Sequence, residues 1–371
     1  MFSRQPPILL HVFPSLEIGG QQMRFATIAN HLGSTIAHRL ISLDGQEQAL
    51  RLLDNDVTFE MLSGLRPARG LRRLLTISKI LRSTRADVLV TYNWGAIEWA
   101  IVNRLSGRLP HIHLEDGFGP DEADGQKAQR VIARSIAVRG AQVLVPSKKL
   151  ERIAIKEWHL RSDRVKYVPN GIKADRFKNM NSSDTPYFSR VEGECIIGSF
   201  SPLRPEKNIS RLLTVFAGLP KLSCPTRLVL CGEGPDRDHL MALAQKLGLG
   251  ERVVFAGHVK APELVMGCFD LLALTSDTEQ MPYAVLEGMA AGLPIFATDV
   301  GDIAIMVDPE NGPFIAPRER PDLLGHALHR LCSDPPLRAR LARRNRDRVN
   351  EVFTISRMAD GFEQALRAAM A

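Results

Sequence analysis

Short runs of β-branched and aliphatic residues recur along the chain, and each is followed by apolar residues at helical spacing. Ten runs read as strands. Five lie in the first half, at 7–13 (PILLHVF), 36–42, 87–93, 111–115 and 142–147. Five lie in the second, at 195–200 (CIIGSF), 226–232, 252–257, 270–276 and 294–299. Strand and helix patterns in alternation imply parallel sheets joined by crossover helices. Between the two series, residues 173–193 (KADRFKNMNSSDTPYFSRVEG) are polar and follow neither period. A linker is expected there, with a domain boundary near residues 175–190. The expected class is α/β, with two Rossmann-like, doubly wound domains facing a central cleft. They span residues 1–180 and 190–354. A chain of 371 residues exceeds what one core supports, which agrees with two domains. In such sheets ligands sit beyond the carboxyl ends of the strands, so the loops after each strand carry the candidate chemistry.

Composition narrows the classes. Hydrophobic residues at 44% and charged residues at 24% describe an ordinary globular chain. No apolar run is long enough to span a bilayer, and the first residues show no secretory leader pattern, so a cytoplasmic protein is expected. Five scattered cysteines suit a reducing compartment and show no metal-ligand spacing. A net charge of +7 suggests an anionic partner. Zinc-finger spacing, RNA-binding aromatics and helix-turn-helix signals are all missing, so nucleic acid is not expected.

Four places carry candidate chemistry. Gly19 and Gly20 follow the first strand, where a helix start would present free N–H groups to a phosphate; a plain tight turn is the alternative. The pattern is not G-x-G-x-x-G, which disfavours a nicotinamide cofactor. Arg204 and Lys207 follow the first strand of the second series and would suit a diphosphate, or else form a solvated charged turn. Gly232 and Gly234, in CGEGP, mark another turn on the ligand side. Finally, TEQMPYAVLEGMAAGLP places Glu279 and Glu287 in an otherwise apolar stretch. Pro282 marks a helix start and Gly292 its end, so Glu287 lies on the helix and Glu279 in the loop before it. A carboxylate accepts well from vicinal hydroxyls such as those of ribose; pairing of Glu287 with a lysine or arginine is the alternative.

The stretch EQMPYAVLEGMAAGLPIFATDVGD resembles the E-x7-E hallmark of retaining glycosyltransferases of family 4, which have the GT-B fold. GGQQMRFATIANHL, VPNGIKADRF, LRPEKN, CGEGP, VVFAGH and FTISRMADGFEQALRAAM extend the likeness over nearly the whole chain. The resemblance implies a nucleotide-diphosphate sugar donor, with Glu287 on the ribose, Glu279 near the transferred sugar and Lys207 on the diphosphate. It implies that Gly20 belongs to a loop closing over the phosphates and that a last helix at about 355–371 crosses back to the first domain. The implied donor set is Gly19, Gly20, Arg204, Lys207, Gly232, Glu233, Glu279, Gln280, Met281, Pro282 and Glu287. Glu279, Asp116, Lys207 and Arg204 carry the catalytic assignments. No cofactor or metal is expected, since no DxD-like site appears in a ligand-side loop.

Three positions depart from the family. Pro202 stands where an arginine is usual, and Arg204 is the substitute candidate. Gln280 replaces a glycine after Glu279. Asp116 replaces a histidine before Gly117, which makes Glu115 and Asp116 acceptor-contact candidates, with capping of the next turn as the alternative. Residues 66–85 hold seven basic residues and no acidic one. With Leu71, Leu74, Leu75, Ile77 and Leu81 as an apolar stripe, the segment suits either an anionic membrane surface or an ordinary crossover helix with a solvated face. The expected function is transfer of a sugar to an envelope glycan, lipopolysaccharide or lipid-linked acceptor, peripheral on the inner face of the cytoplasmic membrane. The alternatives are a GT-B nucleotide-sugar epimerase or phosphorylase, and a non-catalytic sugar-nucleotide-binding subunit.

Overall fold

The structure is a computed structural model, and it describes residues 6–62, 70–107, 109–118, 122, 125–177 and 184–371. The chain divides into two units, 1–171 with 355–371, and 172–354.

The first unit is built on a parallel sheet of β1 (Ile8–Phe13), β2 (Ala37–Ser42), β3 (Thr58–Met61), β4 (Val88–Tyr92), β5 (His111–Leu114), β6 (Gln142–Val145) and β7 (Val165–Tyr167), in the order β3-β2-β1-β4-β5-β6-β7. Helices α1 (Gly20–Leu32), α2 (Leu71–Ser83), α3 (Ile97–Ser106), α4 (Ala128–Ala137) and α5 (Lys148–Lys156) link the strands. The second unit opens with a hairpin, β8 (Asp184–Thr185) and β9 (Phe188–Ser189). Its sheet has the order β12-β11-β10-β13-β14-β15. The strands are β10 (Cys195–Phe200), β11 (Thr226–Cys231), β12 (Val253–Gly257), β13 (Leu271–Leu274), β14 (Ile295–Thr298) and β15 (Ile315–Ala316). Its helices are α6 (Ile209–Ala217), α7 (Arg237–Lys246), α8 (Glu263–Met266), α9 (Tyr283–Ala290), α10 (Ile303–Met306), α11 (Pro321–Ser333) and α12 (Pro335–Val352). Every residue of β4, β6, β13 and β14 is buried, as crossover helices on both faces require.

Each of the ten apolar runs forms a strand. Five strands lack such a run. β3 is an edge strand whose side chains are largely exposed, and β7, β15 and the hairpin are two or three residues per strand. The boundary differs from expectation: it falls at Gly171/Ile172, before the polar segment. Ile172 N–H already donates to Phe353 O (2.9 Å), and Phe177 and Phe188 are buried in the core of the second unit. Two aromatic anchors thus tie the polar segment to that core; residues 178–183 lie outside the description.

The last helix, α13 (Ile355–Met370), groups with the first unit. Met358, Phe362, Ala365 and Leu366 form one helical stripe and join the core beneath α1. In α2 the apolar stripe splits. Ile77 and Leu81 are buried, whereas Leu71 (73%), Leu74 (39%) and Leu75 (63%) are exposed. Residues 66–69 of the basic segment lie outside the description. All five cysteines are free thiols. Among the described residues no helix is long and apolar enough to cross a membrane.

Candidate active site

The loop from β13 to α9 brings Glu279 to Lys207. Lys207 sits in a short 3₁₀ turn after β10, and its Nζ donates to Glu279 Oε1 at 2.6 Å. Ser276 Oγ donates to the same oxygen at 2.7 Å. Neither charge is fully buried, so Coulomb attraction and one charge-assisted hydrogen bond hold the pair without a full desolvation cost.

A second layer fixes that loop. Arg211 donates from Nη1 to Thr275 O and from Nη2 to Asp277 Oδ1, both at 2.7 Å. Asn208 Nδ2 donates to Asp277 Oδ2 (3.0 Å), and Arg318 Nη1 to Asp277 O (2.8 Å). Thr298 Oγ1 donates to Ser276 O at 2.6 Å. Gly301, at φ 62, lies under the loop, where a Cβ would stand 2.5 Å from Glu279 O. Sequence reasoning missed Ser276, Arg211, Asp277, Arg318 and Thr298. Only Gly301, within the quoted TDVGD, gave a signal, as a glycine following a strand.

Glu287 is the fifth residue of α9, which starts right after Pro282. Its carboxylate has no hydrogen-bond partner among the described residues. Burial pushes its pKa up to about 7; Arg176 pulls it down and Glu263 pushes it up. Arg176 does not pair with Glu287, because its Nη2 donates to Glu263 at 2.7 Å. The ion pair considered as the alternative for Glu287 does not form.

The other expected donor residues separate. Arg204 is exposed and pairs with no carboxylate among the described residues. Glu233 is half exposed and lies 3.6 Å from Arg237 Nε. Gln280 O accepts from Asp302 N–H at 2.9 Å. Met281 has its side chain buried in the hydrophobic core. Gly232 and Gly234 are also explained by packing. A Cβ on Gly232 (φ 150) would meet Ser201 O at 1.9 Å, and one on Gly234 would meet Leu203 O at 2.2 Å. The loops after β10 and β11 touch backbone to backbone there.

In the first unit, Gly19 caps α1 and Gly20 is its first residue, both exposed. One turn on, the buried Arg24 donates from Nη1 to Asp116 Oδ1 (2.8 Å) and from Nη2 to Val168 O (2.9 Å). Asp116 N–H donates to Asn93 Oδ1 at 2.7 Å, so both ends of Asp116 are oriented. Glu115 is a correction. It is fully buried, with Arg134 Nε at 3.4 Å and His113 Nε2 at 3.6 Å, so no acceptor reaches it. Asp116, the next residue in the loop after β5, is only partly buried.

Residues 18–176 match the model described as Glycosyltransferase Family 4, and residues 187–348 the model described as Glycosyl transferases group 1. The chain belongs to glycosyltransferase family 4. An uncharacterized glycosyltransferase of Methanocaldococcus jannaschii is 27% identical over 306 residues, 78% of this chain and 77% of that one. The lipopolysaccharide core biosynthesis glycosyltransferase LpsE of Rhizobium meliloti is 28% identical over 196 residues, 53% of this chain and 54% of that one. Among solved structures, Anabaena HepE in complex with UDP and glucose has a TM-score of 0.79 at 18% identity, covering 98% of this chain and 100% of that one. The fold of this glycosyltransferase is therefore GT-B, with two parallel-sheet Rossmann-like domains.

Proposed function

We propose that this glycosyltransferase moves a sugar from a nucleoside-diphosphate sugar to an envelope glycan, lipopolysaccharide or lipid-linked acceptor, with retention and without a metal. One observation carries the reading: in the second unit a lysine–glutamate pair and a partnerless, partly buried glutamate stand in the family's frame. Lys207 would hold the diphosphate, Glu279 the sugar and Glu287 the ribose. The kinship to LpsE supports an envelope acceptor, and the UDP and glucose bound to HepE support the donor class.

In this reading the acceptor hydroxyl attacks the anomeric carbon on the face the diphosphate leaves. The anomeric C–O bond breaks, the new C–O bond forms, and the acceptor proton passes to the departing phosphate oxygen. The protein positions the reactants and neutralises the leaving group. Lys207 must turn part of its charge from Glu279 to the diphosphate, while Ser276 keeps Glu279 in place. Asp116, oriented by Arg24, is the acceptor-contact residue. Transfer would take place at the cytoplasmic face of the membrane.

Thermal shift with a panel of nucleotide sugars identifies the donor, because a ligand that binds only the folded state raises the midpoint. Proton NMR of the product then reads the anomeric configuration. Lys207→Ala should weaken both donor and bare nucleoside diphosphate. Unchanged affinity for both removes the lysine from the site. Conversion of the sugar nucleotide without an acceptor would instead identify an epimerase, pyridoxal absorbance a phosphorylase, and binding without any turnover a non-catalytic subunit.

A further inference from the structure

A strained turn in the first unit is hydrogen-bonded to Asp116. β4 ends at Tyr92, and the backbone of Asn93 turns sharply out of the strand, with φ 49 and ψ −174. Asn208 also has a positive φ, 43, but its ψ of 52 places it in the left-handed region that asparagine tolerates. Asn93 lies outside that region, where glycine alone is at ease. A residue with a side chain persists there only when the contacts around it hold it, and such residues gather at functional sites.

Those contacts are in place. Asn93 N–H donates to Leu114 O (2.9 Å), and Ala96 N–H donates to Asn93 O (3.3 Å). Gly95 packs on the loop after β1 so closely that a Cβ would stand 2.6 Å from Pro14 Cβ. The guanidiniums of Arg130 and Arg134 lie over the Trp94 ring, at 5.0 and 5.2 Å from its centre. Both arginines donate to the buried carboxylate of Glu122, which fixes them in turn.

The strain secures one hydrogen bond. Continued as a parallel ladder, Asn93 N–H would donate to Leu114 O, and Asn93 O would accept from Asp116 N–H. The first bond is made. The second is not, because the turn directs the Asn93 carbonyl to Ala96. Asn93 Oδ1 takes its place and accepts from Asp116 N–H at 2.7 Å. Arg24 holds the other end of Asp116, at Oδ1. A turn with no further duty is served without strain by glycine, but glycine has no oxygen to offer Asp116. We propose that Asn93 is a positioning residue: its strained backbone aims the carboxamide at the Asp116 amide and so sets the Asp116 carboxylate for the acceptor. This role rests on the reading of Asp116 as the acceptor contact.

The test compares Asn93→Gly, Asn93→Ala and Asn93→Asp in the full chain. The first releases the strain and the second keeps it, so Asn93→Gly should melt about 2 °C or more above Asn93→Ala. Both lack the carboxamide. Exchange of the Asp116 amide, followed by NMR on the isotope-labelled chain, should therefore rise about tenfold in both. With UDP-glucose as probe donor and lipopolysaccharide as probe acceptor, acceptor-stimulated UDP release should fall about tenfold or more in both. Asn93→Asp keeps an acceptor oxygen at the same reach and should restore slow exchange and most of the rate. A purely structural residue would instead give rates that follow the melting midpoints, with Asn93→Gly ahead of Asn93→Ala, and that ordering overturns the proposal. So does unchanged Asp116 exchange in these two variants. Exchange is read without substrate, which separates the two readings. Fast exchange in both variants beside a full rate in Asp116→Asn overturns the acceptor reading of Asp116 while Asn93 stands as its anchor.

Discussion

Glu279 and Glu287 share a short stretch of chain but have opposite surroundings. Glu279 accepts from an ammonium and a hydroxyl, whereas Glu287 accepts from no described side chain and titrates near pH 7. Ribose hydroxyls donating to Glu287 favour its ionised form, so nucleotide binding near pH 7 should release a fraction of a proton. Calorimetry in buffers of different ionisation enthalpy measures that release, and Glu287→Gln should abolish it. The same variant should lose about 1.5–3 kcal/mol of affinity for sugar nucleotide and bare nucleotide alike. Glu279→Gln should keep bare-nucleotide affinity, since Lys207 remains free to meet the diphosphate, and lose turnover. The opposite pattern would reverse the two roles. The raised pKa also bears on stability. The folded state binds more protons than the unfolded one between the ordinary carboxyl value and about pH 7. The contribution of Glu287 is therefore fully present below the unfolded pKa and is lost as pH rises through 7.

At the scale of elements, period and punctuation made the strands and α9 readable. Long apolar runs are visible, and Pro282 with Gly292 brackets one helix. What stayed hidden was contact between loops distant in sequence. Nothing local says that Arg211 and Arg318 hold the loop carrying Glu279, or that the Gly232 turn lies on Ser201. Gly232→Ala should therefore destabilise the second unit by roughly 2–4 kcal/mol, from strain at positive φ plus a backbone clash. A denaturant titration that shifts by less than about 0.5 kcal/mol would show that the loops can part. In α2 the stripe of leucines did not reveal which of them face the core. Arg73 pairs with Glu98, while Arg72, Lys79 and Arg82 remain exposed beside Leu71 and Leu75. Replacing those three by glutamine should weaken binding to anionic vesicles and flatten its salt dependence, which screening over roughly 10 Å at 0.1 M produces. Unchanged sedimentation at low salt would mark α2 as an ordinary solvated helix.

At the scale of the molecule, the two units differ in how the chain builds them. The second is continuous, from 172 to 354, and contains Lys207, Glu279 and Glu287. The first is completed only by α13, more than 180 residues after Gly171. Polarity alone set the expected boundary too late, because buried aromatics at 177 and 188 outweigh the polar residues around them. Met358, Phe362 and Leu366 are each nearly or fully buried, and burying such a side chain contributes about 1.5–3 kcal/mol. Three of them amount to about 5–9 kcal/mol, against a typical domain stability of 5–15 kcal/mol. A chain ending at residue 354 should therefore lose cooperative melting of the first unit and keep that of the second. A fragment of residues 172–354 should fold alone and bind bare nucleoside diphosphate with nearly the affinity of the full chain, yet transfer no sugar. Calorimetric melting and nucleotide titration of both truncations decide the matter. If the fragment folds but binds no nucleotide, the donor contacts made by Lys207 and Glu287 are insufficient, and the assignment of the donor to the second unit fails.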